Sequence, residues 1–341
     1  MTIAIVVHND FDRTWPFGAD FLRSLWQHQG DLEFVRLPAG QDPPLGEVLS
    51  SARQVRRLVS LSMRVTDKCL DALASLQEAA FLGSYGTILS QSQSEKMEQR
   101  GVKLHCHRSE GFWGPSVAEF ALGLTICALR RIPQTYRQMI HDHKPWDYGP
   151  PGGIGRASAR GAQFGDDLDF VNGTIAHKRV RIVGLGNIGS RYASFVRCLG
   201  ADVGAWDPLA AESIFHQAGA RRVRELDDLL LDAQIFAPML PLNELTKGLV
   251  TAEHISRLPQ GCLVVVVTRA GICDFQALRD RVLADELALA ADVFDIEPLE
   301  LDDRLLARPN VVHTPHNAGR TKDANRSWAQ ALADEFGLQV Q

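Results

Sequence analysis

The sequence predicts an α/β protein made of two doubly wound parallel sheets. Three observations lead there. Short β-branched runs alternate with amphipathic stretches, the alternation falls into two series separated by a long helical pattern, and the second series opens on a glycine-rich turn between a strand and a helix. In the first series Ile3 to Val7, Leu32 to Arg36 and Leu58 to Leu61 read as strands, and Phe17 to Trp26 and Thr66 to Leu76 as helices. The second series contains the strands Val180 to Val183, Val203 to Trp206, Gln234 to Ala237, Leu263 to Val267 and Leu287 to Ala291, each followed by a helical or turn segment. Between the series, Ser116 to Met139 reads as one helix kinked at Pro133. The stretch 145–173, rich in glycine with two adjacent prolines, reads as a connecting loop. Ala324, Trp328, Leu332 and Phe336 recur at helical spacing, so Thr321 to Phe336 is an amphipathic helix expected to dock on the first domain.

Composition narrows the function classes. The chain has 341 residues, 45% hydrophobic and 23% charged, with 36 basic and 41 acidic side chains and a formal net charge of −5. Such a chain buries a sizeable core, and at roughly 100 to 200 residues per domain two domains are expected. A slightly acidic balance argues against nucleic acid or an anionic membrane surface as partner. The apolar start, Met1 to His8, lacks the basic region and cleavage site of a signal peptide and reads as a buried strand. The longest near-apolar run, Phe120 to Leu129, falls short of the roughly 20 residues of a membrane span. Cys69, Cys106, Cys127, Cys198, Cys262 and Cys273 lie far apart without a Cys-x-x-Cys pair and read as small core residues in a reducing, cytoplasmic setting.

Val180 to Val183 leads directly into Gly184-Leu-Gly186-Asn187-Ile188-Gly189, followed by the helical pattern of Tyr192, Phe195, Val196 and Leu199. Gly184 permits the tight turn, Gly186 lets the backbone approach a pyrophosphate, and Gly189 lets the helix pack close to the strand, with its N-terminus facing the negative charge. Asp207 ends the next strand, about 20 residues on, where a carboxylate accepts hydrogen bonds from the adenine-ribose hydroxyls. A carboxylate there repels a 2′-phosphate, and Pro208-Leu209 places no base directly beside it, so NAD is expected over NADP. Arg221 and Arg222, at the start of the following strand region, read as solvated or core-edge residues rather than phosphate ligands.

Further on, Arg269 follows a buried strand, Asp292 and Glu297-Pro298 follow the next, and Thr314-Pro315-His316 comes after Asn310 to His313. A guanidinium at a strand's carboxyl end is placed to pair with a carboxylate in two parallel hydrogen bonds. A carboxylate and an imidazole complete a set suited to hydride and proton transfer at a keto acid.

At these residues the chain resembles the D-isomer-specific 2-hydroxyacid dehydrogenase family, which includes phosphoglycerate dehydrogenases, glyoxylate and hydroxypyruvate reductases, and D-lactate dehydrogenases. The matching stretches are Gly83-Ser-Tyr-Gly-Thr87, Ser116-Val-Ala-Glu119, the glycine turn with Trp206-Asp207-Pro208, Met239-Leu-Pro241-Leu, Thr246-Lys-Gly-Leu249, and the segments around Arg269, Glu297 and His316. The resemblance implies two Rossmann-like domains with the active site in the cleft between them. The substrate domain would comprise residues 1–115 and 305–341, and the NAD domain residues 116–304. It implies His316 as acid and base, Glu297 as its partner and Arg269 as the substrate anchor, with backbone amides of Tyr85 and Gly86 on the substrate carboxylate. By the same match Leu240, Pro241, Val267, Thr268, Arg269, Asp292, His316 and Gly319 join the glycine turn, Asp207 and Pro208 around the cofactor, with Asp292 receiving the nicotinamide carboxamide. A homodimer is implied as well.

Departures from the family pattern concern cofactor packing more than chemistry: Ala270 follows Arg269 where glycine is usual, Val266 replaces a common asparagine, and Met239 a frequent histidine. Tyr85 places a bulky ring near the expected substrate. His105 with His107, and His141 with His143, raise the question of a metal, but neither pair has a third and fourth ligand at suitable spacing, and no metal is expected. A second functional reading is an NAD(H)-sensing binding protein, as in the C-terminal-binding-protein corepressors that share this scaffold.

Overall fold

The computed structural model describes residues 2–107, 109–146 and 169–338. Most of the expected connecting loop at 145–173 lies outside the described residues. The chain divides into two compact units, one of Met1–Trp113 with Arg320–Gln341 and one of Gly114–Gly319.

The first unit is built on a parallel sheet in the order β2-β1-β3-β4-β5, with β1 Thr2–Val7, β2 Asp31–Arg36, β3 Arg57–Leu61, β4 Glu78–Leu82 and β5 Lys103–Leu104. The central strand is apolar on both sides because both sides are covered. Ile3, Ile5 and Val7 pack with Trp26, Trp328 and Leu332, while Ala4 and Val6 pack with Leu45, Leu70 and Phe81. The C-terminal helix Lys322–Glu335 belongs to the first of these layers, as its apolar spacing requires. The sequence pattern predicts no strand at β4. Glu78-Ala-Ala-Phe-Leu82 has two helix-favouring alanines and is extended through its pairing with β3 and β5.

The second unit carries a seven-stranded parallel sheet in the order β12-β11-β10-β9-β6-β7-β8. Its strands are β6 Arg179–Val183, β7 Asp202–Trp206, β8 Arg221–Arg222, β9 Ile235–Pro238, β10 Leu263–Val266, β11 Ala288–Ala291 and β12 Val311–His313. The chain runs outward from β6 through β7 and β8, then returns to β9 on the other side of β6, so the switch point lies where β6 and β9 are neighbours. β12 pairs with β11 as the last strand of this sheet, which carries residues 305–319 into the second unit. The expected boundary at 305 therefore moves to 320. Three residues are too few for a strand pattern, and only their pairing reveals the strand.

The helix expected at 116–139 is two helices, Gly114–Arg130 and Ile132–His141, broken at Arg131, whose φ of 51° is left-handed. Pro133 sits in the first turn of the second helix, where a missing N–H costs nothing, so the break precedes it. By length and composition alone the helical stretch Gly111–Arg130 is apolar enough to cross a membrane, longer than the run read from the sequence. Val117, Ala118, Ala121, Leu124 and Leu129 are buried, and the Thr125 hydroxyl lies 2.9 Å from that of Tyr192 on the helix after the glycine turn. These contacts make it the core helix of its unit. Among the cysteines Cys69, Cys262 and Cys273 are buried, but Cys106 and Cys198 are exposed, contrary to their reading as core residues. Cys106 lies just beyond the two-residue strand β5, and Cys198 closes a helix whose buried face is formed by Gly189, Tyr192, Ala193 and Val196.

Candidate functional site

The glycine turn leaves β6 with Gly184 at a φ of 92°, and a Cβ there would meet Leu240 Cδ2 at 2.5 Å. At Gly189 a Cβ would lie 2.0 Å from the Gly184 carbonyl oxygen, so the helix Gly189–Cys198 approaches the turn as only glycine allows. Nothing lies within 4 Å of the Cβ position at Gly186, which opens its face to a ligand. The amides of Gly186 and Ile188 meet no acceptor among the described residues. An open face with unpaired N–H groups at a helix N-terminus fits a pyrophosphate. Asn187 lies across Gly114, where a Cβ would come within 2.5 Å of Asn187 Oδ1.

Asp207 follows β7. Its Oδ2 accepts from the Leu185 amide at 2.8 Å, and its Oδ1 from the amides of Leu209 at 2.9 Å and Ala210 at 3.0 Å. A carboxylate offers about four acceptor positions, so three are used and one on Oδ2 remains for a ribose hydroxyl. Beside it Arg222 is already engaged. It donates to the carbonyls of Asp207 and Ala210, pairs with Glu212 at 3.0 Å and lies over the Phe215 ring. Pro208 is exposed, Leu240 half-buried and Pro241 exposed. Met239, at the switch point, is buried, and its amide donates to the Val183 carbonyl.

Three adjacent strands, β10, β11 and β12, deliver the remaining polar groups from their carboxyl ends. After β10, Val267 and Thr268 are buried, and the Thr268 hydroxyl donates to the Pro238 carbonyl at 3.2 Å. Arg269 then projects half-buried. Its Nη1 donates to the Thr268 carbonyl at 2.7 Å, and it pairs with no carboxylate among the described residues. After β11 comes Asp292, 1% exposed. Its Oδ1 accepts from the Thr314 hydroxyl at 2.6 Å and the Asn317 amide at 3.0 Å, and its Oδ2 from the Ala318 amide at 2.9 Å. It thus grips the loop after β12 on both sides of His316.

Glu297 Oε1 accepts from the Phe294 amide at 2.8 Å, which aims its Oε2 at His316 Nδ1, 2.7 Å away. Because a carboxylate only accepts, Nδ1 carries the proton, and Nε2 is the ring atom left for chemistry. His316 holds a left-handed φ of 53°, a conformation that the surrounding bonds maintain. Gly319 ends the unit. In the first unit, Tyr85 and Gly86 lie in the turn after β4, closed by the Gly83 amide donating to the Gly86 carbonyl at 2.7 Å. Their own amides meet no acceptor among the described residues.

The sequence reading expected Glu297 beside His316 and Arg269 at a strand end, and these side chains lie there. It did not reveal that Asp292 spends three of its acceptor positions on the His316 loop, nor that Arg222 closes on the Asp207 turn. Thr314, inside the quoted Thr-Pro-His stretch, was the one available signal for the first; nothing signals the second. His105 Nε2 lies 3.1 Å from Glu78, His107 packs against Phe112 and Trp328, and among the described residues no group of three or more His, Cys, Asp or Glu side chains is placed to hold a metal. Burial pushes the Cys262 and Cys273 thiols up to about 12, which leaves both unreactive.

Residues 122–318 match the family model described as D-isomer specific 2-hydroxyacid dehydrogenase, NAD binding domain. The D-3-phosphoglycerate dehydrogenase of Mycobacterium tuberculosis is 32% identical over 316 residues, which cover 90% of this chain and 54% of that one. That of Archaeoglobus fulgidus is 27% identical, covering 83% of this chain and 50% of the relative, so the chain spans about half the length of these relatives. The hydroxypyruvate reductase of Thermotoga maritima is 26% identical with 82% of each chain covered. Among solved structures, a D-lactate dehydrogenase from Treponema pallidum shares the fold with a TM-score of 0.65 at 18% identity, over 97% of this chain and 95% of that one. A match over more than half its length, with relatives along most of it, places the chain in the D-isomer specific 2-hydroxyacid dehydrogenase family.

Proposed function

We propose that this protein reduces a small 2-keto acid to its D-2-hydroxy acid, and runs the reverse reaction, with NAD(H) as coenzyme. The observation that carries the reading is the His316–Glu297 pair at 2.7 Å, on a strand end two strands from the unpaired Arg269. Arg269 binds the substrate carboxylate with two parallel hydrogen bonds. NADH, when bound, supplies the hydride to the carbonyl carbon. His316 donates its Nε2 proton to the carbonyl oxygen in reduction and takes it back in oxidation, while Glu297, bonded to Nδ1, fixes the ring. Gly184, Gly186, Ile188 and Gly189 hold the pyrophosphate, and Asp207 the ribose. Preference for NAD over NADP rests on the Asp207 carboxylate and on Arg222 being committed to backbone carbonyls and Glu212.

The helix Ile132–His141 buries none of its residues and exposes Ile132, Tyr136, Met139 and Ile140, which supports a homodimer through this face. The six unpaired cysteines support a cytoplasmic setting. The test is to mix protein, NADH and a panel of 2-keto acids and follow the absorbance of the reduced nicotinamide. Turnover that disappears in Arg269→Ala supports the reading. Tight NADH binding without turnover of any acid overturns it.

A further inference from the structure

We infer that the substrate side chain is apolar, aromatic or branched, rather than phosphorylated, and that the Tyr85 ring reads it. The inference rests on the dehydrogenase reading above and deepens it. The first unit presents the turn Gly83–Thr87 at the carboxyl end of β4, where ligands bind in sheets of this kind. Among the described residues the amides of Tyr85 and Gly86 have no acceptor, and no atom lies within 4 Å of the Cβ position at Gly86, so the turn offers two adjacent donors to a carboxylate. A group held at the Tyr85 amide lies within one side chain's length of the Tyr85 ring, because both hang from the same Cα.

That ring is 52% exposed and yet held in place. It meets Trp113 edge-on at 5.6 Å, Trp113 stacks on the buried Trp15 at 4.7 Å, and the Trp15 indole N–H donates to the Ser84 carbonyl at 2.9 Å. Turn and ring are thus braced by one aromatic stack, and an exposed aromatic fixed beside two free donors is an apolar wall. A phosphate would instead need free cations. The turn from Gly83 to Ser90 carries no charge. Among the described residues the basic side chains His8 and Arg64 near these strand ends are engaged: His8 lies 3.1 Å from the Gln41 carbonyl and 3.4 Å from Asp10, and Arg64 bonds to the Asp42 carbonyl at 2.9 Å with the Asp42 carboxylate 3.4 Å away.

The experiment compares kcat/KM for phenylpyruvate, 4-methyl-2-oxopentanoate, glyoxylate and 3-phosphohydroxypyruvate in the wild type, Tyr85→Phe and Tyr85→Ala, with NADH in excess. The expected result is a preference of at least about tenfold for the two apolar acids over glyoxylate and the phosphorylated acid. Tyr85→Phe should retain that ratio and Tyr85→Ala should lose most of it. Equal or better use of 3-phosphohydroxypyruvate, or an unchanged ratio in Tyr85→Ala, overturns the inference while leaving the dehydrogenase reading intact. Should no acid turn over, the dehydrogenase reading fails, and quenching of Trp15 and Trp113 fluorescence decides the inference separately: tighter binding of phenylpyruvate than of 3-phosphohydroxypyruvate upholds it, and the reverse order sinks it.

Discussion

Toward the amino ends of the seven-stranded sheet, charged groups close on one another; at its carboxyl ends they close on the backbone and keep one face open. Arg181 stands in the buried strand β6 with its side chain 1% exposed. It gives two hydrogen bonds to Asp232, at 2.8 and 2.7 Å, and reaches Asp202 at 3.0 Å, while Gly204 makes room for its stem. Arg181 itself is fully engaged, by these carboxylates and by the Val180 and Asp202 carbonyls. At the opposite edge Asp207, Asp292 and Glu297 each accept backbone amides, and among the described residues Arg269 pairs with no carboxylate and His316 Nε2 meets no partner. One chain thus uses the same residue types for cohesion at one edge and for positioning at the other. Substitutions should therefore separate into those that cost stability and those that cost turnover.

The largest expected effect is at the open edge. With His316 in the proposed role of proton carrier, kcat should fall by about 10²- to 10⁴-fold in His316→Ala. The dissociation constant for NADH, read by fluorescence titration, should stay within about threefold, and the melting temperature should barely move, because the side chain is 40% exposed. A parallel loss of NADH affinity would show that His316 holds the cofactor rather than the proton.

The closed edge should respond in the opposite way. Asp202→Asn with Asp232→Asn leaves Arg181 buried with carbonyl partners only, which costs roughly 3–5 kcal/mol, toward the lower end because both carboxylates are about half exposed. Urea unfolding should record that loss while NADH affinity persists. The Arg181 hydrogen bond holds the Asp232 carboxyl below its ordinary value. Its contribution is therefore complete above the unfolded carboxylate pKa of about 3.9 and is lost as pH falls through the lower folded value. Stability between about pH 5 and pH 2 should fall less steeply in Asp232→Asn than in the wild type. Identical acid limbs would mean that the cluster contributes nothing.

The two edges also differ in how far the sequence exposes them. The open edge was legible because its chemistry demands fixed residue types after fixed elements: a glycine turn after β6, an acid after β7, and Arg269, Glu297 and His316 after three successive strands. The closed edge was not legible, since a charged residue inside an apolar strand such as Val180-Arg-Ile-Val183 gives no hint of partners at 202 and 232. Short strands escaped for a related reason. β5, β8 and β12 have two or three residues, and pairing rather than pattern makes them strands. Arg131 ended the long helix two residues before the proline that seemed to do so, because a left-handed residue leaves no compositional mark when it is not glycine.

Asp292 tests the open edge from behind, since it touches the His316 loop at three points. In Asp292→Asn one orientation of the amide sets its NH₂ against the Ala318 N–H, and the other sets it against the Asn317 N–H. Neither satisfies the loop, and a buried unsatisfied donor costs about 1–3 kcal/mol. We expect kcat to fall by about one to two orders of magnitude, with a shifted pH profile as His316 loses its alignment with Glu297. The melting temperature should fall by a few degrees as well. A loss confined to NADH affinity, with the pH profile of kcat unchanged, would assign Asp292 to the cofactor alone.

The smallest effect concerns coenzyme choice, where both kinds of closure meet. Asp207 accepts three backbone amides and has about one acceptor position left, so Asp207→Ala removes a single charged hydrogen bond to the ribose, about 1.5–3 kcal/mol. Fluorescence titration should show NADH binding weakened by about tenfold or somewhat more. On the proposed role of Asp207, NADPH should lose less or gain, narrowing the ratio between them. Arg222 determines how far that narrowing goes. While it stays bonded to the Asp207 and Ala210 carbonyls and to Glu212, NADPH gains only the loss of repulsion and no new cation. Adding Glu212→Ala to Asp207→Ala frees one arm of the guanidinium and should tighten NADPH further by about another threefold to tenfold. If the second substitution has no effect on NADPH, Arg222 braces the turn and nothing more, and coenzyme choice at this edge rests on Asp207 by itself.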